Sequence, residues 1–315
     1  MKIKRVVVLG GSGFVGETLI SKLCAQGYWV RVLSRRRDSA KHLFLLPNVE
    51  VLECDVHDAH ALKLALSGND AVINLVGILH EHGRQTYETA HHQLARCVAQ
   101  LCDELSIKRL LHMSALCADK KAPSQYLRSK AAAETAVLEY QARLNITVFR
   151  PSVIFGRGDS FLNLFATLIK TLPIILLAKP DAKFQPIWVG DVAKVMMISL
   201  ENADTYDKIY ELGGPEIFTL RQLVQKVAKV LTVKRPIIGL SDTFSYLQAV
   251  AMSLLPIKLL TPDNINSMKI DNICQGGFPR EFGFQPTPLD LIMSDYLGQK
   301  TAKTKYQQYR SLAGR

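Results

Sequence analysis

The feature that most constrains this chain lies at its start. The apolar run Val6-Val7-Val8-Leu9 stops abruptly at Gly10-Gly11-Ser12-Gly13-Phe14-Val15-Gly16. β-Branched residues in an unbroken apolar run read as a strand buried on both faces, as in parallel sheets. Glycines 10, 13 and 16 have the spacing G-x-x-G-x-x-G, and residues 17–26 have helical composition, with apolar positions at 15, 19, 20 and 23. A strand, a glycine turn and a helix start together make an anion site. Backbone N–H groups point outward, the helix dipole favours negative charge, and missing side chains let a phosphate approach the main chain. Glycines at this spacing also serve plain tight turns, so the remaining chain has to separate a turn from a dinucleotide cradle.

The first half repeats the same alternation. Further strands are predicted at 29–33, 49–53, 71–75, 109–113 and 146–149, with helices at about 59–66, 86–105 and 124–144. Strands alternating with helices imply an α/β fold, a Rossmann-type doubly wound parallel sheet with right-handed crossovers. Ligands of such sheets lie outside the carboxyl ends of the strands. After Arg150-Pro151 the rhythm changes to helix 161–170, strand 184–189, a helix at Asp191, strand 209–212, helix 219–231 and strand 236–239. The expected organisation is a dinucleotide-binding unit over 1–150 and a smaller mixed C-terminal substrate or partner region over 151–297. Some elements of that region return to the first sheet, and a basic tail covers 298–315.

The end of the second strand carries Ser34-Arg35-Arg36-Arg37. A site selective for NAD normally has an acid there for the ribose 2′-hydroxyl, whereas arginine's planar fork matches a phosphate. The pattern points to NADP, with NAD possible because Asp38 follows; the bland alternative is a solvated cap on the next helix. Asp55, after the third strand, sits where an adenine ring would lie.

Tyr126-Leu127-Arg128-Ser129-Lys130 puts a tyrosine and a lysine on one helix face. A tyrosine of ordinary pKa, about 10, is a poor base at neutral pH. A nearby ammonium and a cationic nicotinamide ring favour the phenolate. Ser114, at the end of the fifth strand, is suited to hold a substrate oxygen in the same crevice. The competing reading is a surface tyrosine with a helical lysine neighbour.

Other features bound the function. Hydrophobic residues make up 48% of the 315, ample for a sizeable core. The net charge of +11 permits anionic partners, but no stripe of basic and aromatic residues accompanies it, so no nucleic acid is expected. Six cysteines without C-x-x-C or zinc spacing suit buried thiols in a reducing compartment. His80-Glu81-His82 is expected to be solvated, and no metal is predicted. No apolar window is long enough to span a bilayer, and the N-terminus runs into a strand with no room for a signal segment. The expected location is cytoplasmic, with a peripheral place at the inner face of a membrane as the alternative. Residues 244–260 form an apolar segment, by default a buried packing helix, alternatively an interfacial or partner-binding one.

Gly10, Gly13 and Gly16 together with Ser114, Tyr126 and Lys130 resemble the short-chain dehydrogenase/reductase superfamily, and the C-terminal half resembles its extended or atypical branch of epimerases and dehydratases. Residues 126–134, 149–156, 184–192 and 212–219 look more closely like the nucleotide-binding accessory subunit of respiratory complex I and its bacterial relatives. The resemblance spans about residues 4–297. It implies that Gly10, Gly11, Ser12, Gly13, Phe14, Val15 and Gly16 hold a pyrophosphate, and that Ser34 and Arg35 meet the adenosine ribose. It places Asp55 and Val56 near adenine, and Ser114, Tyr126, Lys130 and Pro151 around the nicotinamide. Where the superfamily often has Asn-Asn-Ala-Gly, this chain has Asn74-Leu75-Val76-Gly77, so Asn74, Val76 and Gly77 keep backbone contacts and the asparagine relay is in doubt. The function implied is an NAD(P)-dependent oxidoreductase or epimerase/dehydratase acting on an unknown small molecule. The alternative is a non-catalytic accessory or assembly protein at a membrane respiratory complex.

Overall fold

The valine run forms the centre of the molecule: Val6, Val7, Val8 and Leu9 are wholly buried in β1 (Arg5–Leu9). The computed structural model describes residues 3–83, 85–254 and 259–298, so all but the first residue of the basic tail expected over 298–315 lies outside the described residues. Around β1 lie β2 (Trp29–Ser34), β3 (Val49–Glu53), β4 (Ala71–Asn74), β5 (Arg109–Met113), β6 (Asn145–Pro151) and β7 (Lys208–Leu212). They make one seven-stranded sheet in the order β3-β2-β1-β4-β5-β6-β7, every pair parallel. The chain reverses direction across the sheet between β1 and β4, and that switch point opens the crevice in which such sheets bind ligands.

Helices cover both faces. On one, α1 (Phe14–Ala25) lies in a core that also holds Val192, Val195 and Met196. The other face is covered by α2 (Ala59–Leu66), α3 (Leu94–Glu104) and α4 (Gln125–Leu138) around Val98, Leu110 and Val137. Asp58 caps α2 and Ser124 caps α4 through side-chain oxygens.

Three predicted elements differ. The helix expected over 86–105 begins with a π-helical stretch, Glu88–Gln93, before α3. The helix expected to reach 144 stops at Leu138, and turns lead into β6. The strand expected over 184–189 consists of the short pieces Lys183–Phe184 and Ile187–Trp188. Pro186 between them has no N–H to give a ladder.

After β6 the chain forms α5 (Leu162–Thr171), α6 (Val189–Ser199), α7 (Leu220–Val230), α8 (Asp242–Ser253), α9 (Pro262–Ser267) and α10 (Leu289–Leu297). α6 is the helix that supplies Val192, Val195 and Met196 to the first core, and β7 joins the central sheet beside β6. α5, α7 and α10 close a separate core around Phe155, Leu162, Leu223, Val227 and Met293, laced by two-stranded pairings, while Ala249 of α8 and Ile265 of α9 form a smaller cluster with Ala178. The buried-helix expectation for 244–260 fails. α8 buries Ser245 and Ala249 while Phe244 and Leu247 are each 62% exposed; residues 255–258 lie outside the described ones.

Candidate functional site

The glycine turn has no room for side chains. Gly10 sits at φ +74°, and a Cβ there would lie 3.1 Å from the Val76 nitrogen. A Cβ on Gly16 would lie 2.4 Å from the Gly11 carbonyl oxygen, backbone against backbone. Gly13 is the N-cap of α1 and no side chain caps that end. The first turn of α1 therefore presents backbone N–H groups at the switch point, the arrangement that receives a phosphate. Gly11 and Val15 face the core, Ser12 is half-buried, and the ring of Phe14 approaches the Cα of Gly156 from across the chain.

At the end of β2, Ser34 is buried and its hydroxyl is engaged locally, donating to the Arg36 carbonyl at 2.9 Å and lying 3.0 Å from Ser39 Oγ. Arg37 lies over the Phe44 ring at 5.2 Å and Asp38 pairs with Lys41. Arg35 is exposed and among the described residues makes no ion pair. Arg36 is likewise exposed and without an ion pair among the described residues, so Arg35 and Arg36 are equally placed to meet a phosphate. Asp55 is exposed and accepts from the His57 N–H at 3.0 Å; Val56 is buried.

After β4, the Asn74 side chain is consumed by the turn itself. Its oxygen accepts from the Val76 N–H at 3.1 Å, and its amide lies 3.4 Å from His112 Nδ1. Gly77 leaves space beside the reactive end: a Cβ there would be 3.5 Å from Lys130 Nζ and 3.7 Å from His91 Nε2.

Ser114 follows β5, with its backbone N–H on the Phe149 carbonyl at 2.7 Å. Its hydroxyl is buried and among the described residues has no hydrogen-bond partner, which is uncommon for a buried polar group. Lys130, one turn along α4 from Tyr126, is buried and donates to the Met113 carbonyl at 2.9 Å. Burial lowers the Lys130 pKa to about 8, opposed by Glu134 one turn further on, and raises that of Tyr126 to about 12. Glu134 is itself held by Arg150, whose Nε donates to it at 2.8 Å. Pro151 is buried beside this end, and its carbonyl accepts from the Leu116 N–H at 2.9 Å.

Three residues of this site were not assigned to it by the sequence reading. His91 is 2% exposed; its ring stacks on Tyr87 with centroids 5.5 Å apart and meets Tyr126 edge-on at 5.7 Å. Desolvation, with Lys130 adding to it, lowers its pKa to about 3. Tyr87 is buried with its hydroxyl on the Leu79 carbonyl at 2.8 Å. Asp263, on α9, accepts from the backbone N–H groups of Gln125 and Tyr126 at 2.7 and 3.0 Å. No local signal marks these residues; a histidine in a polar run and an aspartate 137 positions away reach Tyr126 only through the fold. Among the described residues no group of His, Cys, Asp and Glu has the arrangement of a metal site, and no helix is long and apolar enough to cross a membrane.

Residues 6–213 match the model of the NAD dependent epimerase/dehydratase family. The chain is 35% identical over 225 residues to NADH dehydrogenase [ubiquinone] 1 alpha subcomplex subunit 9 of Arabidopsis thaliana, covering 69% of this chain and 56% of that one. The mouse protein of the same name is 30% identical over 295 residues, 90% of this chain and 77% of the other. The chain thus spans little more than half the length of the plant relative. Among solved structures, dTDP-glucose 4,6-dehydratase from Streptomyces venezuelae, with NAD bound, superposes with TM-score 0.73 at 18% identity, covering 98% of each chain.

Proposed function

The chain belongs to the NAD dependent epimerase/dehydratase family, and from that premise we infer that it holds a nicotinamide dinucleotide at the switch point and acts on a small molecule with Ser114, Tyr126 and Lys130. The observation that carries this reading is the buried, unpartnered Ser114 hydroxyl at the end of β5. The glycine cradle, which a Cβ would fill, supports the pyrophosphate position, and the unengaged Arg35 supports NADP over NAD.

A bound nicotinamide ring supplies the place where a hydride is taken up or released. The protein does the rest. Ser114 orients the substrate oxygen, Tyr126 exchanges a proton with it, and Lys130 sets the charge beside the phenol. With Tyr126 pushed up to about 12, the phenol is no base at neutral pH until more positive charge enters the crevice. Lys130 is held in register by the Met113 carbonyl, so its ammonium is fixed rather than mobile.

The test is to identify the nucleotide that leaves the purified protein on denaturation, then follow its oxidation state against a panel of alcohols, ketones and sugar nucleotides. Tyr126→Phe should lower turnover by about 10²–10⁴ with dinucleotide affinity unchanged. Release of NAD alone would overturn the role of Arg35, and equal turnover by Tyr126→Phe would end the acid–base reading.

A second reading is favoured by the apolar face of α8 and by relatives named as complex I subunits. Here the nucleotide is structural, and the protein sits at the inner face of a membrane as an accessory of a respiratory complex. It requires a retained nucleotide that no metabolite reduces or oxidises, and co-purification with membrane partners. Substrate-dependent turnover by the free protein counts against it.

A further inference from the structure

His91 is tied at both ring nitrogens and packed against the rings of Tyr87 and Tyr126. Nε2 lies 3.0 Å from the Ile78 backbone nitrogen, whose N–H donates to it. Nδ1 lies 2.7 Å from Ser129 Oγ, and that hydroxyl donates to the Tyr126 carbonyl at 2.7 Å. A hydroxyl has one proton to give. With the Ser129 proton on Tyr126 O and the Ile78 N–H on Nε2, only one assignment satisfies every partner: the imidazole is neutral, carries its proton on Nδ1 and gives it to Ser129 Oγ.

These bonds join two separate parts of the crevice. Ile78 and Gly77 belong to the loop after β4, where a Cβ on Gly77 would touch Lys130 Nζ at 3.5 Å and His91 Nε2 at 3.7 Å. Ser129 and Tyr126 belong to the first turns of α4, the helix that carries the tyrosine and the lysine. His91 reaches both because it stands on the π-helical stretch Glu88–Gln93, where the extra residue turns its side chain into the crevice; such bulges recur at functional sites.

We propose that His91 is a positioning residue that fixes the loop after β4 against the start of α4, so that Gly77 and Ile78 meet the dinucleotide while Tyr126 faces the substrate. The proposal rests on the dinucleotide reading above. It assigns His91 no proton transfer with substrate. An imidazolium would put a second N–H against the Ile78 donor, so acid releases the loop. The groups facing the ring are Lys130 and Tyr126 from α4, Tyr87 from its own turn, and His112 from β5. Lys130 and burial both oppose the charged form.

The experiment uses the full chain with NADP and NAD as probes. His91→Ala should weaken binding of the preferred dinucleotide about tenfold. His91→Gln, whose amide oxygen replaces the acceptor for Ile78, should restore it to within about threefold of wild type. Histidine ring NMR of the wild type, with His91→Gln identifying the signal, should show one Nδ1–H imidazole that stays neutral well below the range in which the exposed histidines titrate. Ultraviolet difference titration should show Tyr126 ionising at altered pH in His91→Ala. A merely structural role would lower the melting temperature and leave affinity and tyrosine titration unmoved. An Nε2–H tautomer, or His91→Ala affinity within twofold of wild type, overturns the proposal. If the wild type binds neither dinucleotide, the reading beneath it falls, while the tautomer and the tyrosine titration still decide what His91 does to Tyr126.

Discussion

The central sheet and the lobe that follows it are built on different terms. In the sheet, β1, β4 and β5 have every residue but Arg5 buried, and each strand pairs over four or more residues. In the lobe, the pairings are two or three residues long, and α8 turns Phe244 and Leu247 to solvent. The sheet is a buried, fully paired frame that leads straight into the glycine turn. The lobe reaches the site at few points, the clearest being the Asp263 carboxylate on the α4 N-terminus. The difference teaches where precision is spent: on the cofactor side it is in the main chain, and on the substrate side it rests on single side chains.

The sharpest way to break the comparison is Gly16→Ala. Its Cβ would meet the Gly11 backbone at 2.4 Å, and neither strand nor helix has slack to yield. A loss of about 3 kcal/mol in urea unfolding is expected, together with loss of dinucleotide binding by titration. An unchanged midpoint would mean the sheet is softer than its burial implies.

Acid should act next, and on the sheet side. His91 and His112 are held neutral to about pH 3 by burial, whereas an unfolded histidine titrates near 6.5. The unfolded chain therefore binds more protons between about 6.5 and 3, and stability falls as pH falls through that window. At about 1.4 kcal/mol per pH unit for each histidine, the loss by pH 5 is up to about 2 kcal/mol apiece. Denaturant midpoints against pH measure it, and His112→Asn should flatten the slope.

Asp263→Ala tests the bridge between the two regions. Removing a carboxylate from two helix N–H groups costs about 1 kcal/mol, and turnover should fall more than dinucleotide affinity does. Equal loss of both would place Asp263 with the frame instead. The smallest effect is expected at the lobe's surface, where Phe244→Ser with Leu247→Ser should shift stability by less than about 0.5 kcal/mol. A large shift would show that α8 is covered in the protein's working form.

The glycine turn, the alternation through six strands and the Tyr126–Lys130 spacing were legible because each is local: strand period, turn chemistry and helix period act between neighbours. The same limit explains the misses. The π-helical start at Glu88–Gln93 and the burial of His91 depend on Tyr87 and Tyr126 closing around one imidazole. The broken strand around Pro186 could be suspected from the proline alone. The exposure of α8 could not, since a helix of that composition is stable buried or covering.

The sequence by itself thus determined the strand–turn–helix unit at residues 5–25 and the parallel sheet built on it, because those patterns allow few other backbones. Only the tertiary structure decided that Ser114 has a buried hydroxyl without a partner, that Asn74 spends its side chain on its own turn, and that His91 and Asp263 meet the tyrosine helix. Whether a polar group is satisfied depends on what residues far away in the chain bring within hydrogen-bonding distance, and no local pattern encodes that.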